Sequence, residues 1–516
     1  MLNLLLALGI LPALLLLRRF YYSYIMPNFI ERPVGGIPRP PLVADWIPFI
    51  GNGLRMTQGD GFWRDVIRQY GPVVRVRAMG EVRTFVTTPG QLISYVYKNS
   101  RNFSFLHFRR TLHSTIFGLQ MSHAQSDAMT DKLFPQHHRE MQPGSIADLI
   151  RKYADHLEDG MKRKVEQIGE EGIVIDLVED MFDILYEASA KAFFSPSFPH
   201  ASFKPTFMAF DEAFPLLYLA GLPKIARRSA EKIREDALRM IEEWWVDISF
   251  EDRKEIAPAM LGMVEVAEGE GWSLRDVASF FLQEIWALEA NAPYAGIWTI
   301  LELLRNPGIL ARVRTEITNV ISTLSPPTLS TLLHRPQPGL PGLLPITNAV
   351  FQETLRFHVD TLSLRVVQED CVVPPSLIPA GIGKETGLRL YRGDQVICAT
   401  RVPMVDEEEW GPDAGKWDPE RFMKGGAQGR AMHPFGGGVS MCEGRHFASA
   451  EILTFIAAFT YLFDADVLSD TIKPNPQRIG LGIQQPMGSA KEGESGSNPA
   501  IETVHGMGVW RMSVTQ

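Results

Sequence analysis

Apolar positions near the C-terminus recur with the three- and four-residue spacing of an α-helix. The positions that follow this spacing are Ile452, Phe455, Ile456, Phe459 and Phe463. Because this spacing places apolar side chains on one face, it predicts a buried helix that begins just after Cys442.

A second, longer helix is predicted from Ser273 to Asn306. Ser273 and Asp276 have the spacing of a capping box, and Pro307 follows Asn306 directly. At about 1.5 Å per residue, this helix would be close to 50 Å long. It would therefore cross a whole domain.

Pro293 predicts a kink inside this helix. Proline has no backbone N–H, so the carbonyl of Glu289 loses its helical partner. We expect the kink beside Ala290 and Asn291, where it would open a groove along the helix.

The N-terminal apolar run favours a membrane anchor. Residues 1–17 are almost entirely apolar, and Arg18 and Arg19 follow them. The run is short for a bilayer core, which needs about 20 residues, but three aromatic residues extend it. A cleaved signal peptide is the alternative, yet the basic start and small-residue cleavage site are missing. The charges after the run predict a cytoplasmic domain.

These features divide the chain into an anchor over residues 1–24, a proline-rich hinge over 25–50 and one large domain over 51–516. The chain has 516 residues, of which 45% are hydrophobic, and its net charge is −9. A negative charge argues against nucleic acid as a partner. Three widely spaced cysteines suit a reducing compartment without disulfides.

Cys442 is the main candidate for chemistry. It lies in residues 435–448, FGGGVSMCEGRHFA. A single thiolate on a glycine-rich loop before a helix is suited to holding haem iron through sulfur. Glycines let the backbone approach a planar ligand closely. We expect nearby amides and the helix N-terminus to stabilise the thiolate. A structural cysteine in a turn is the alternative.

The spacing of Phe435, Gly438, Cys442 and Gly444 resembles the haem-binding loop of the cytochrome P450 family. Two upstream motifs come in the order found in that family, and their residues are Glu353, Arg356 and Arg421. The resemblance covers roughly residues 30 to 488. It implies a mainly α fold with a smaller β part, and haem b as cofactor with Cys442 as the axial ligand of its iron.

The resemblance assigns a structural role to Glu353, Arg356 and Arg421, as a buried cluster under the haem. Arg365 fits an arginine that binds a haem propionate. A surface arginine at a strand edge is the alternative for it. Ser440 stands where the family often has a second basic residue.

The other propionate contact is left open among three neighbouring residues. These candidates are His137, His138 and Arg139.

Ala290 and Asn291 occupy the positions of the acid–alcohol pair that relays protons in most members of the family. In having Ala-Asn in place of the acid–alcohol pair, the chain resembles the branch of cholesterol 7α-hydroxylase, sterol 12α-hydroxylase and prostacyclin synthase. By this resemblance Asn291 orders oxygen and water. The branch includes both hydroxylases and peroxide isomerases, so this pair does not separate them.

The pocket walls are expected to be apolar. By the resemblance, residues 102–122 and 479–483 cover the pocket, while Leu362 and Leu364 flank the haem. These segments suit a lipophilic substrate.

The resemblance implies a monooxygenase of the endoplasmic reticulum membrane with one membrane span. Its sequence features look most like those of fungal members of the family. It would use O₂ and electrons from NADPH–cytochrome P450 reductase on a sterol, terpenoid or polyketide, in secondary metabolism. A reductase-independent isomerase or dehydratase and a catalytically silent haem protein are the alternatives. The residues expected to attract the reductase are Lys424, Arg430, Arg445 and His446.

Overall fold

The computed structural model of the chain describes residues 13–22, 25–26, 35–169, 172–218, 224–335, 339–423, 432–469, 472–475, 478, 480–488 and 509–514. Several predictions lie outside these ranges. They concern residues 1–12, 23–24 and 27–34 of the anchor and hinge, and the single residues Lys424, Arg430 and Ile479.

Helices form most of the molecule, which confirms the mainly α fold. In the first half they are α1 (13–20), α2 (Gly53–Met56), α3 (Asp60–Tyr70), α4 (Gly90–Lys98), α5 (Leu106–Thr115), α6 (Met121–Ala124), α7 (Phe134–Glu140), α8 (Ala147–Ile168), α9 (Leu177–Phe194), α10 (His200–Tyr218), α11 (Lys224–Asp247) and α12 (Phe250–Glu255). In the second half they are α13 (Pro258–Gly269), α14 (Leu274–Glu289), α15 (Ala292–Arg305), α16 (Pro307–Ser322), α17 (Leu329–Leu333), α18 (Gly339–Leu343), α19 (Pro345–His358), α20 (Arg401–Met404), α21 (Glu407–Trp410), α22 (Glu420–Met423) and α23 (Arg445–Leu462).

The strands are short and form a smaller part. They are β1 (Val73–Ala78), β2 (Glu81–Val86), β3 (Phe103–Ser104), β4 (Ile173–Asp176), β5 (Val359–Val367), β6 (Cys371–Val373), β7 (Leu388–Leu390), β8 (Gln395–Ala399), β9 (Phe463–Ser469), β10 (Ile472–Pro474), β11 (Leu481–Ile483), β12 (Pro486–Gly488) and β13 (Val509–Val514). The main sheet has the order β1-β2-β8-β5-β11, and β3 also pairs with β5. Strands β2 and β8 are parallel, and the other pairs are antiparallel.

The largest core lies between helices, and α15 and α23 run through it. Every residue of α15 except Arg305 is buried, so this helix is covered on all sides. The predicted apolar helix after Cys442 is confirmed as α23, whose buried residues include Ile452 and Phe455. Phe463 is buried too, but it already belongs to β9.

The prediction of one continuous helix from Ser273 to Asn306 is wrong, because the structure has two helices there. Asn291 lies between α14 and α15 with φ −135° and ψ −54°, outside helical geometry. The break occurs where the kink was predicted, since Pro293 in the first turn of α15 has no N–H to continue the ladder. The capping box of Ser273 and Asp276 is confirmed at the start of α14.

At the N-terminus, α1 contacts the second half of the predicted hinge. Arg18 forms an ion pair with Asp45 at 2.5 Å, and the guanidinium of Arg19 lies 4.0 Å from the ring centroid of Trp46. Within the described part of the chain, none of the helices combines the length and the apolar composition needed to cross a bilayer.

Candidate active site

A tight turn places Cys442 just ahead of α23. The amide of Cys442 donates to the carbonyl of Phe435 at 2.9 Å, which closes the loop. Gly438 has φ +65°, and a side chain there would overlap the backbone of Tyr97. Glycine is therefore required at this position both by conformation and by space.

The thiol of Cys442 is surrounded by protein, although the residue has exposed surface. Burial raises the pKa of its thiol to about 11, although the amide of Gly444 lowers it. The backbone amide thus lowers the pKa of the thiol, as predicted, but burial raises that pKa by more. Coordination to a metal ion would deprotonate the thiol outright.

Arg365 is tied to this loop and is not a surface residue. Only 3% of Arg365 is exposed, so the strand-edge alternative is wrong. Its Nη2 donates to Oγ of Ser440 at 2.6 Å, and its Nη1 donates to Oγ of Ser363 at 2.8 Å. The guanidinium also lies 5.0 Å from the ring centroid of Tyr97 and 4.8 Å from that of Phe105. A fixed cation thus contacts the residue two positions before Cys442.

Leu362 and Leu364 lie on the other face of β5. Leu364 packs in a core with Phe62 and Trp63 of α3, and Leu362 contacts the same core. Side chains alternate along a strand, so these leucines point away from the face that carries Arg365. The structure thus places both leucines on the face opposite Arg365, and the expectation that they flank the haem stays a prediction.

Glu353 and Arg356 form a buried pair on α19. Nε of Arg356 donates to one oxygen of Glu353 at 2.7 Å, and Nη2 donates to the other at 2.6 Å. Neither side chain has exposed surface. The arginine also donates to three backbone carbonyls, of Met404, Ala414 and Lys416. The pair thus holds the segment that leads toward the Cys442 loop.

Arg421 joins this cluster at its edge. Its Nε lies 3.6 Å from Oε1 of Glu353, and its Nη1 donates to the carbonyl of Trp410 at 3.0 Å. The amide of Asp418 donates to the same oxygen of Glu353 at 2.8 Å. The structure therefore brings the three predicted residues together, but Arg421 binds mainly backbone.

Asn291 connects the helix break to β11. Its Oδ1 accepts a hydrogen bond from the amide of Ile483 at 3.0 Å. A side chain at Gly482 would overlap Oδ1 of Asn291, so the strand approaches the break closely. The carbonyl oxygen of the Asn291 amide is thus used to hold the C-terminal segment, which we define as residues 472–488.

The carbonyl of Ala290 has an unexpected partner. Nη2 of Arg478, in the C-terminal segment, donates to it at 2.9 Å. Arg478 also pairs with Asp211 of α10, and Nε1 of Trp286 donates to Asp211 at 2.9 Å. A buried arginine thus replaces the helical N–H that the break removes.

The comparison with known families is decisive at this point. The sequence model described as cytochrome P450 matches residues 40–491. The chain belongs to the cytochrome P450 family. This P450 is accordingly an oxidoreductase of the monooxygenase type, and its family uses haem b as a haem-thiolate cofactor.

Relatives and solved structures agree. This P450 is 23% identical to the cytochrome P450 monooxygenase poxD of Penicillium oxalicum, over 88% of this chain and 91% of the relative. It is 23% identical to the 7-alpha-hydroxycholest-4-en-3-one 12-alpha-hydroxylase of Oryctolagus cuniculus, over 87% and 91%. The structure of retinoic acid bound cyanobacterial CYP120A1 matches with a TM-score of 0.68 and 19% identity, over 93% of this chain and 100% of that one. The predicted family, fold and likeness to sterol hydroxylases are confirmed.

The residues around Cys442 fit haem b. Cys442 is a free cysteine whose thiol is available to coordinate iron, and Gly444 lies beside its sulfur. Arg365 is a fixed cation suited to a propionate. Gly444 caps α23 and directs its amide to the sulfur.

A cluster of charges also lies beside the cysteine. Oε2 of Glu443 is 2.6 Å from Nδ1 of His137, and its Oε1 accepts from Arg109 at 3.2 Å. Nε2 of His137 lies 3.3 Å from Glu284 of α14. The neighbours His138 and Arg139 are exposed. Of the three basic candidates, His137 is the one beside the Cys442 loop.

The charge states in this cluster follow from its contacts. Burial by itself lowers the pKa of His137, but Glu284 and Glu443 raise it to about 10. Burial raises the pKa of Glu443, but His137 and Arg109 lower it to about 2. Both side chains are therefore charged at neutral pH.

His137 should make stability depend on pH. Its pKa of about 10 exceeds the ordinary 6.5, so its contribution is complete below pH 6.5 and is lost as pH rises through 10. We expect His137→Gln to cost about 2–4 kcal/mol at pH 6.5 and far less at pH 10.5. Urea unfolding midpoints at both pH values measure this. His138→Gln, on the exposed side of α7, should lower the urea midpoint by the same small amount at both pH values. If the two variants depended on pH equally, the assignment of His137 would be contradicted.

The apolar segment over residues 102–122 contains α5 and α6. Phe117 is buried, and its ring centroid lies 5.9 Å from that of Trp286 on α14 and 6.2 Å from that of Phe214 on α10. Aromatic side chains thus join this segment to the helix that precedes the break.

Sequence reasoning missed four charged residues of the site. They are Arg109, Asp211, Glu443 and Arg478. Arg109 and Asp211 each have a charged neighbour, Arg110 and Glu212, and Arg478 lies in a polar stretch, so nothing local marks these residues. Their partners lie far away along the chain, so no motif exists to find.

Proposed function

We propose that this P450 inserts one oxygen atom of O₂ into a lipophilic substrate of the sterol, terpenoid or polyketide type. NADPH–cytochrome P450 reductase would deliver the electrons. The observation that carries the proposal is the position of the Cys442 loop next to α14, since His137 joins Glu443, the neighbour of Cys442, to Glu284 of α14. The cysteine loop and the broken helix are thus neighbours.

When bound through Cys442, haem b supplies the activation of dioxygen. The chain's residues hold and orient it. Arg365 and His137 offer cations for its carboxylates, and Phe435, Gly438 and Gly444 shape the loop around the sulfur. Glu353, Arg356 and Arg421 fix the segment beneath.

Ala290 and Asn291 shape the oxygen side of the pocket in this proposal. Neither side chain is an acid, so neither serves as a proton source. Protons must therefore arrive through ordered water. Since Oδ1 of Asn291 holds Ile483, its amide nitrogen is the part suited to orient oxygen or water.

Membrane attachment and partner docking belong to the same proposal. Residues 1–24 would anchor the chain in the endoplasmic reticulum, with the catalytic domain in the cytoplasm. Exposed apolar side chains support this: Trp46 lies in the segment that α1 contacts, and Phe49 and Leu54 follow it. Arg445, whose Nη1 donates to the carbonyl of Cys442 at 2.9 Å, would contribute to the reductase surface.

The anchor is tested by washing membranes that contain the full chain with alkaline carbonate. We expect the full chain to stay in the pellet and a chain of residues 25–516 to be largely released, because an apolar span resists extraction. Equal release of both chains would contradict the anchor.

The reaction is tested with membranes that contain the chain and the reductase, supplied with sterol, terpenoid and polyketide candidates under isotopically labelled O₂. We expect a product that gains one labelled oxygen and requires both NADPH and reductase. A rearranged product made from a peroxide without NADPH would instead favour an isomerase. No turnover of a tightly bound candidate would favour a silent haem protein.

The proposed setting is secondary metabolism. The fungal relatives support it, since one of them is the cytochrome P450 monooxygenase poxD of Penicillium oxalicum. The 12-alpha-hydroxylase relative supports a polycyclic lipid as substrate by its printed name.

A further inference from the structure

The C-terminal segment holds both residues of the break between α14 and α15. The amide of Ile483 donates to Oδ1 of Asn291 at 3.0 Å. Nη2 of Arg478 donates to the carbonyl of Ala290 at 2.9 Å. Ile483 belongs to β11, which pairs with β5 of the main sheet. The break is therefore held from a supported strand, and not by the two helices alone.

Arg478 also links the break to α10. It pairs with Asp211, and the two side chains are only 6% and 3% exposed. A guanidinium is planar, so its two terminal nitrogens point in fixed directions. Binding of one nitrogen to Asp211 thus directs the other to the carbonyl of Ala290. A lysine ammonium is a single point of charge, so it could not make both contacts in fixed directions.

Four residues form a closed ring of contacts around this link. Nε1 of Trp286 donates to Asp211 at 2.9 Å, and Asp211 pairs with Arg478. Arg478 donates to the carbonyl of Ala290, whose own amide donates to the carbonyl of Trp286 at 3.0 Å. The ring thus begins and ends on α14. Each member has a partner on both sides, so none can move without the loss of a buried contact.

The ring fixes the peptide group that leads into Asn291. The carbonyl of Ala290 and the amide nitrogen of Asn291 lie in one rigid plane, because the peptide bond does not rotate freely. Asn291 has φ −135° and ψ −54°, so helical geometry does not set its orientation. Holding the carbonyl of Ala290 therefore limits where the Asn291 side chain can point. An error of about 1 Å in the position of such a group can lower a reaction rate by about 10²-fold.

The other end of the link is a helix that adjoins the apolar segment over residues 102–122, which is expected to cover the pocket. The ring centroids of Phe210 and Phe214 on α10 lie 6.1 and 6.2 Å from that of Phe117 in this segment. Asp211 directly follows Phe210 in the chain. The helix that packs against the pocket cover thus also carries one member of the ring.

We propose that Arg478 is a positioning residue that sets the orientation of Asn291 and ties it to the place of α10. It acts through the carbonyl of Ala290 at one end and through Asp211 at the other. The inference rests on the proposed function, in which Asn291 orients oxygen or water. The alternative is that Arg478 only neutralises a buried carboxylate, a role that lysine would fill equally well.

The first test compares Arg478→Lys with the unchanged holoprotein by amide hydrogen exchange. Lysine keeps a cation for Asp211 but loses the second contact of the fork. We expect exchange of the peptide over residues 286–296 to become at least about tenfold faster, the value of one hydrogen bond to a charged group. A role in charge balance alone would leave this exchange unchanged.

The second test measures how fast the reduced holoprotein returns to the ferric state in air. An oriented hydrogen-bond donor beside the oxygen should slow this return. We expect the rate to rise about tenfold in Asn291→Ala and in Arg478→Lys. Because Arg478 acts through Asn291, the rate of the double variant should be within about twofold of that of Asn291→Ala alone. Independent effects would multiply instead.

Arg401→Lys is the matched control. Arg401 likewise joins a carboxylate, that of Asp60, to a backbone carbonyl, that of Phe357. These partners lie on α3 and α19, and not on the helices of the ring. Both measurements should keep their original values in this variant.

Trp286→Phe is a milder change to the ring. It removes the indole donor to Asp211 but keeps an aromatic ring that can stack on Phe214. Exchange over residues 286–296 should rise about threefold, the value of one ordinary hydrogen bond. The ring can therefore be tested even if Arg478→Lys fails to fold.

Three results would overturn the positioning role. They are unchanged exchange over residues 286–296 in Arg478→Lys or in Trp286→Phe, effects on the return rate that multiply in the double variant, and an Arg401→Lys variant that changes as much as Arg478→Lys. The reduced CO spectrum of each preparation tests the haem-thiolate proposal separately. A normal spectrum with any of these results refutes the positioning role alone.

Discussion

Replacing Cys442 by serine is expected to remove the Soret band that reduced haem-thiolate proteins show with CO. A serine hydroxyl is a poor ligand for iron compared with a thiolate, and it lacks the electron donation that favours O–O cleavage. Product formation should fall at least about 100-fold, because losing a primary ligand costs more than losing an outer-shell contact. The CO difference spectrum of expressing membranes gives the first measurement.

Cys371→Ser provides the matched control. Cys371 is a half-buried free cysteine on β6, outside the glycine-rich loop. Its replacement should leave the band unchanged. A band that persists in Cys442→Ser, or that disappears in Cys371→Ser, would mean that the axial assignment is wrong.

Glu353→Gln is expected to destabilise the fold by about 3–5 kcal/mol, since it removes the charge that balances a fully buried guanidinium. Arg356 would keep its three carbonyl partners, but among the described residues no carboxylate would remain in contact with it. We expect a lower urea midpoint and weaker haem retention. The urea midpoint and haem retention should fall together because the segment that Arg356 holds leads into the Cys442 loop.

Glu251→Gln is the control for this change. Glu251 and Lys254 form a pair with the same three-residue spacing, but their side chains are 79% and 53% exposed. Loss of an exposed pair costs about 0.5 kcal/mol or less. Equal effects of the two substitutions would contradict the structural role of Glu353.

The elements that sequence predicted well depend on local chemistry. The capping box at Ser273 and the apolar face of α23 are each set by residues within a few positions of one another. The position of the break at Asn291 was predicted correctly, but a kink within one helix was expected and the structure has two separate helices. Pro293 removes the N–H partner of the Glu289 carbonyl, and whether the helix bends or separates depends on what the neighbouring backbone groups bind. Here Arg478 binds the carbonyl of the next residue, Ala290, and that partner is not encoded nearby.

By itself, the sequence determined the family, the cofactor and the loop around Cys442. A thiolate ligand, close glycines and a following helix require fixed residues at fixed spacing, so they leave a readable local pattern. Only the tertiary structure decided which charges meet. Arg478 and Asp211 are 267 positions apart, and Arg109 and Glu443 are 334 apart. Such pairs form because burial penalises an unpaired charge wherever its partner lies along the chain. Their spacing is therefore unconstrained, and only the packed helices bring them together.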